Sequence, residues 1–252
     1  MSDLEGVFLL GGFMSLSVHI KKKLRSFSLQ ADFEAEDGVL ALLGPSGCGK
    51  SMTLKCIAGI EKPDEGIISL SGRVLFDSLK KVNLPPQKRR VGYMFQSYAL
   101  FPNMTVRKNV LAGMGKKPDP SLADPFLERF RIADLADSLP HELSEGQKQR
   151  TAMARIVAQN PDVILLDEPF SALDTVLKWQ LEQEMLQALT EEKKPTIFVS
   201  HNIDEVFQLS GEVCSMKEGK TLGKISAQEF FEQMKEGTAD LMRGWCILPP
   251  EE

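Results

Sequence analysis

Hydrophobic and polar positions change their rhythm several times along this chain. Apolar and polar residues alternate across 15–24 and again across 26–33, where Phe27, Leu29 and Ala31 are separated by polar positions. A period of two predicts half-buried strands of an antiparallel sheet. The pattern then becomes Val39-Leu40-Ala41-Leu42-Leu43, a continuous apolar run expected of a strand covered on both faces. Leu54, Ile57 and Ala58 recur at helical spacing and predict a helix over 51–59. The turn cluster Lys62-Pro63-Asp64-Glu65-Gly66 leads into a predicted hairpin over 67–77, centred on Ser71-Gly72. Apolar strands are predicted over 91–95, 163–166 and 196–200. Residues of about 103–160 read as mostly helical, interrupted at Lys116-Lys117-Pro118-Asp119-Pro120. An amphipathic helix is predicted over 176–190, and short strands then precede a last helix over 227–234. This order predicts an α/β fold with a parallel-sheet core, an antiparallel β appendage and a helical subdomain over about 97–160.

Composition narrows the function classes. The 252 residues are 42% hydrophobic and 26% charged, ordinary values for a globular chain of one or two domains. A net charge of −5 argues against general nucleic-acid binding, which needs a basic stripe. No run approaches the roughly 18 apolar residues of a membrane span. Asp3 and Glu5 stand where a secretory signal would carry positive charge. Cys48, Cys56, Cys214 and Cys246 show no Cys-x-x-Cys spacing, so neither a zinc site nor a redox pair is indicated. A cytosolic chain is expected, meeting a membrane only through a partner. Residues 1–13 stand apart from the patterned region, and Met14 precedes the first alternating run. They are expected to be an N-terminal extension or the product of an earlier start.

Gly44-Pro45-Ser46-Gly47-Cys48-Gly49-Lys50-Ser51 fits G-x-x-x-x-G-K-[ST] in full, between a buried strand and a helix. Its glycines permit a tight wrap that turns successive backbone N–H groups toward phosphate oxygens, and the helix N-terminus adds partial positive charge. Lys50 is placed to reach β- and γ-phosphates and Ser51 to ligate Mg²⁺. Ligands of open α/β sheets bind beyond the carboxyl ends of the strands. At those ends stand Asp167 and Glu168 after 163–166, Gln96 after 91–95, and His201 after 196–200. Asp167 can hold Mg²⁺, Glu168 can polarise a water for in-line attack, Gln96 can orient water and sense the metal, and His201 can bond a γ-phosphate. Leu143-Ser144-Glu145-Gly146-Gln147 opens a further helix, with Ser144 and Gln147 at capping-box spacing. A Gly-containing capped start is also an anion site, which makes sense if it serves a nucleotide held by another copy.

These motifs together resemble the nucleotide-binding subunit of an ATP-binding cassette (ABC) transporter, a P-loop NTPase, over about 15–235. Residues 44–51 match its Walker A motif, Gln96 the Q-loop, 143–147 the signature, and 163–168 Walker B. Ser171-Ala172-Leu173-Asp174 matches the D-loop and His201 the switch histidine. The resemblance implies a cassette over 14–235 followed by a tail over 236–252. It implies ATP and Mg²⁺ as cofactors and a head-to-tail homodimer that sandwiches two ATPs. Nucleotide would contact Gly44, Pro45, Ser46, Gly47, Cys48, Gly49, Lys50, Ser51 and Met52, with Ser144, Gly146 and Gln147 acting from the other copy. Ser51, Gln96 and Asp167 would serve the metal. Glu168, His201, Gln96 and Lys50 would be the catalytic residues, Glu168 as general base.

Two positions depart from the family pattern. Glu145 replaces the first glycine of L-S-G-G-Q, and an outward course paired with Lys148 or Arg150 is expected. The window Val18-His19-Ile20-Lys21-Lys22 has no aromatic to stack on adenine, leaving His19, or Ile20 by simple packing, as the contact. The run Pro85-Pro86-Gln87-Lys88-Arg89-Arg90 and the stretch from Gln96 to Val106 resemble the importer branch. That implies integral-membrane permease subunits docking near Gln96 to Arg107, indirect service to an extracytoplasmic solute-binding protein, and a peripheral place on the cytoplasmic membrane face. Leu75-Phe76-Asp77 with the proline–arginine run most resembles molybdate, tungstate or sulfate importers. Sugar, polyamine or iron import, or an ABC-type ATPase switch without a permease, are the alternatives. About 50 residues follow His201, so the family's frequent C-terminal regulatory domain is expected to be absent.

Overall fold

The computed structural model describes residues 14–115, 118–170 and 175–235. The expected extension (1–13), D-loop (171–174) and tail (236–252) lie outside the described residues, as do Lys116 and Lys117.

The chain begins with β1 (Leu16–Lys23), β2 (Ser28–Ala35) and β3 (Gly38–Leu43), then α1 (Lys50–Ala58). β4 (Glu65–Leu70), β5 (Arg73–Asp77), β6 (Val82–Asn83) and β7 (Val91–Met94) follow. The helical segment holds α2 (Val106–Gly113), α3 (Asp124–Arg129) and α4 (Glu145–Ala158). The rest is β8 (Val163–Asp167), α5 (Thr175–Glu192), β9 (Pro195–Ser200), α6 (Ile203–Leu209), β10 (Glu212–Lys217), β11 (Lys220–Ser226) and α7 (Ala227–Lys235).

The strands form one 11-stranded sheet ordered β6-β5-β4-β1-β2-β11-β10-β3-β9-β8-β7. β10, β3, β9, β8 and β7 run parallel, while β1, β2, β4, β5 and β6 pair antiparallel. β11 joins the halves, antiparallel to β10 and bridged to β2 at Lys220 and Gln30. Ser71 and Gly72 turn the β4–β5 hairpin with φ of 49° and 78°, as tight hairpins require.

Parallel strands bury both faces, and their alternating residues feed two separate cores. Ala41, Leu43, Ile164, Leu166 and Phe198 face the helical subdomain and Val206 of α6. Leu40, Leu42, Val163, Leu165, Ile197 and Val199 face α1 and the antiparallel strands. Arg89 is wholly buried among backbone acceptors and donates to the Cys56 and Ile57 carbonyls at the C-terminal end of α1, as well as to Leu84 O and Asn83 Oδ1. The negative end of the helix dipole suits a cation there, and a Cβ on Gly59 would stand 2.5 Å from its Nε.

The helical reading of 103–160 holds only in part. Between Arg129 and Glu145 the chain makes 3₁₀ turns at Ala133–Leu135 and Pro140–Glu142. Arg131 is left-handed at φ 55°, and Pro140 cannot donate a helical hydrogen bond. The apolar residues Phe130, Ile132 and Ala136 nevertheless reach the core, which is why their spacing imitates a helix.

Candidate functional site

β3 delivers the chain into the loop 44–49 at the carboxyl edge of the parallel strands. Gly44 passes so close to β10 that a Cβ there would sit 2.3 Å from the Met216 carbonyl oxygen. Gly47 and Gly49 have φ of 79° and 114°, a region that side chains rarely enter. Lys50, 4% exposed, folds back and donates from Nζ to Gly44 O at 2.7 Å and Pro45 O at 3.0 Å, closing the wrap. α1 begins at Gly49 with no side-chain cap and no acidic residue in its first turn. Its leading N–H groups are thus offered to an anion. Burial pushes the Cys48 thiol up, against the opposing pull of Lys50, so this loop cysteine stays neutral.

Facing the loop, Asp167 ends β8. Ser51 Oγ donates to Asp167 Oδ1 at 2.7 Å, and Tyr93 Oη donates to Oδ2 at 2.9 Å. Glu168 stands next in the left-handed region at φ 47°, its N–H held by Val199 O at 3.1 Å. Such strain in a non-glycine residue persists where surrounding structure fixes it. Gln96 Nε2 donates to Glu168 Oε2 at 3.3 Å, and His201 Nδ1 lies 3.5 Å from Oε1. The ends of β7, β8 and β9 and the start of α1 therefore bring Lys50, Ser51, Gln96, Asp167, Glu168 and His201 to one edge. Ser51 Oγ and Asp167 Oδ1 are adjacent hard oxygen donors, the set that Mg²⁺ takes beside phosphates.

Tyr93 is absent from the expected set. Burial, then the charge of Asp167, pushes its phenol pKa up, so it remains a donor. An aromatic in 91–95 was visible, but its reach to Asp167 depends on the β7–β8 register, with Tyr93 opposite Leu165.

Ser144, Gly146 and Gln147 lie at a different helix start. Ser144 caps α4, accepting from the Gln147 N–H at 3.4 Å, while Gln147 Oε1 accepts from the Ser144 N–H at 2.8 Å. Gly146 is buried, and Glu145 pairs with Lys148 at 2.7 Å. Arg150 instead pairs with Glu184 at 2.9 Å. Beyond Gln96, Tyr98 and Ala99 are both left-handed, at φ 60° and 45°. Arg155 of α4 holds their carbonyls at 2.8 Å and lies over the exposed Phe101 ring.

His19 is a correction. Leu16, Val18 and Ile20 share the core with Leu54 and Ile57 of α1, so His19 points to the opposite face of β1. There it meets Asp32 Oδ1 at 2.8 Å and Ser17 Oγ at 3.0 Å. An aromatic that does stand beside the loop is Phe27. A Cβ on Gly49 would lie 3.5 Å from its ring, and one on Gly219 2.5 Å. Phe27 falls outside the window 18–22, just before β2, and its approach to Gly49 depends on how the strands pack beside the loop.

The model of the ABC transporter family matches residues 29–171, more than half of the chain. The chain belongs to the ABC transporter family. It is 43% identical over 202 residues to the Fe(3+) ions import ATP-binding protein FbpC 2 of Haemophilus influenzae, covering 78% of this chain and 55% of that one. It is 36% identical over 234 residues to the molybdenum import ATP-binding protein ModC of Brucella abortus, covering 91% of this chain and 65% of the relative. The chain spans about half the length of the first of these curated relatives. Among solved structures, the dimeric post-hydrolysis state of the ATP-binding cassette MJ0796, bound to ADP and Pi, matches with a TM-score of 0.69 and 25% identity. That match covers 85% of this chain and 98% of the cassette. The fold is thus the α/β cassette of the ABC family. Among the described residues, no helix is long and apolar enough to cross a membrane.

Proposed function

We propose that this chain is the ATP-hydrolysing subunit that powers an ABC importer. The observation that carries the reading is the convergence of Ser51, Asp167, Glu168, Gln96 and His201 beside a loop closed by Lys50. In this reading 14–235 is the cassette, 1–13 an extension and 236–252 a tail. The N–H groups of 44–52 and Lys50 bind the phosphates of ATP, and Phe27 lies against the base. Ser51, Asp167 and Gln96 hold Mg²⁺, which neutralises phosphate charge when bound. Glu168 accepts a proton from the attacking water as the γ-phosphoryl group leaves ADP, and His201 bonds that group. A second copy supplies Ser144, Gly146 and Gln147, as the dimeric cassette with ADP and Pi suggests by analogy.

The importer assignment follows from the relatives' names, and it implies permease subunits seated near Gln96 to Arg107 at the cytoplasmic membrane face. Exposed Phe101 and Met104 supply apolar surface there. The solute proposed is molybdate or a related oxyanion. The proline–arginine run and the 91% coverage by the molybdenum-importer relative support it; the higher identity of the iron-importer relative is the competing indication.

The test is phosphate release from ATP by the purified protein with Mg²⁺, expected in the wild type and lost in Lys50→Ala. Copurification with an integral-membrane partner is expected, and its absence would favour a switch without a permease. Deleting the gene should make molybdenum-enzyme activity depend on high external molybdate. Normal activity at limiting molybdate, with no second importer present, removes molybdate and leaves the importer reading standing.

A further inference from the structure

The Asp167 carboxylate is held from two sides by two different elements. Ser51, at the start of α1, donates to Oδ1 at 2.7 Å, and Tyr93, on β7, donates to Oδ2 at 2.9 Å. The parallel register sets Tyr93 opposite Leu165, two residues before Asp167 on the same face of the sheet. The phenol therefore reaches diagonally along the strand, with its ring braced on Phe95 at a centroid distance of 4.4 Å. Asp167 is only 7% exposed, so no bulk water stands ready to replace a lost donor.

The two donors are not equivalent. The Ser51 hydroxyl has lone pairs to offer a cation beside Oδ1 and so is itself a ligand candidate, whereas Tyr93 donates to the other oxygen, Oδ2, and acts only on the carboxylate. A carboxylate's terminal torsion is broad and roughly two-fold, so one fixed oxygen decides where the other points. We propose that Tyr93 is a positioning residue for the divalent cation that accompanies the nucleotide, holding Asp167 so that Oδ1 faces Ser51. This rests on the nucleotide reading above and adds a residue to it. β7 and the loop that follows it then contact both acids in succession, Tyr93 at Asp167 and, three residues on, Gln96 at Glu168.

Partners that orient a metal ligand typically govern affinity by about 10–100-fold. The experiment measures Mn²⁺ binding by electron paramagnetic resonance in the presence of ADP, for wild type and Tyr93→Phe, with melting curves to show that both fold. Nucleotide binding is measured in parallel with excess EDTA. Tyr93→Phe should bind Mn²⁺ about 10–100-fold more weakly and bind metal-free nucleotide within twofold of wild type. In an Asp167→Asn background, adding Tyr93→Phe should cost little more, because Tyr93 acts through that carboxylate. Tyr93→Met, which also lacks the hydroxyl, serves if the phenylalanine variant does not fold, and the same loss is expected. Mn²⁺ affinity within twofold of wild type, or equal losses in both backgrounds, overturns the role of Tyr93 while leaving the nucleotide reading intact. A wild type that binds no nucleotide, with or without metal, overturns both.

Discussion

Two helices in this molecule begin where an anion could be received, and they begin in opposite ways. α1 starts from left-handed Gly49, with no side-chain cap, no acid in its first turn, and Lys50 folded onto the preceding loop. α4 starts from Ser144, which exchanges hydrogen bonds with Gln147 and carries Glu145 in the first turn. One helix leaves its first N–H groups to an incoming ligand; the other has answered one of them with its own side chain. Such a pair is asymmetric by construction. In the proposed reading the α1 end captures phosphate and the α4 end adds to phosphate already held, the division of labour of a head-to-tail dimer. Glu168, Gln96 and His201, which the proposed function assigns to turnover, cluster on the α1 side.

The largest expected effect comes from uncoupling capture from turnover. Glu168→Gln should keep ATP affinity but lower hydrolysis by about 10²–10⁴-fold, the usual contribution of a general base. It should accumulate as an ATP-bound dimer by light scattering. Adding Ser144→Ala should weaken that dimer without changing ATP binding to the monomer. A fully active Glu168→Gln protein would remove the base assignment. Lys50→Ala attacks the α1 end directly. Losing a charged donor costs about 1.5–3 kcal/mol, or roughly ten- to more than a hundredfold in ATP affinity. No ATP-dependent dimer should then form, and capture that persists unchanged would mean that α1 is not the primary site.

The α1 side was the more legible in the sequence, for a physical reason. A glycine-rich wrap needs particular residues at fixed spacing, and buried parallel strands need unbroken apolar runs, so 39–43, 163–166 and 196–200 and the residues at their ends could be placed without coordinates. Contacts that depend on register or on long-range approach could not. Tyr93 meets Asp167 because β7 and β8 are in one register, and Phe27 meets Gly49 because β2 passes the loop. Of the two alternatives for the base contact, His19 and Ile20, His19 takes the face opposite the α1-side core, as strand parity rather than proximity in sequence decides. In 130–144, apolar spacing imitated a helix that left-handed Arg131 and Pro140 forbid.

Phe27 sharpens the comparison at the next scale down. If it stacks on the base, Phe27→Ala should weaken ATP binding by about 1–3 kcal/mol, the range for base–aromatic contacts. Inorganic tripolyphosphate, which has no base, should bind equally well to both proteins. Stacking accepts any base, so ATP and GTP should lose affinity alike and discrimination between them should be weak. Isothermal titration with the three ligands decides it. Equal loss for tripolyphosphate would mean that Phe27 only braces Gly49.

The smallest effect is expected at the α4 end, where Glu145 stands in place of a glycine. A carboxylate beside an incoming γ-phosphate would repel it if its charge were free. Here Lys148 compensates it at 2.7 Å, and the side chain is 46% exposed, so solvent screens what remains. Its field does reach inward: with burial as the larger cause, it helps push the Tyr98 phenol up to about 12. Yet Tyr98 is anchored by Arg155 through its backbone carbonyl, which does not depend on Glu145. Glycine at this exposed position would cost roughly 0.5–1 kcal/mol in helix stability. Glu145→Gly should therefore change the steady-state hydrolysis rate by less than about tenfold, or 1.4 kcal/mol. The salt dependence should also shrink, because the removed charge was the screened one. A hundredfold change in either direction would mean that Glu145 acts on the phosphate itself, and that the α4 end is not the passive partner of α1.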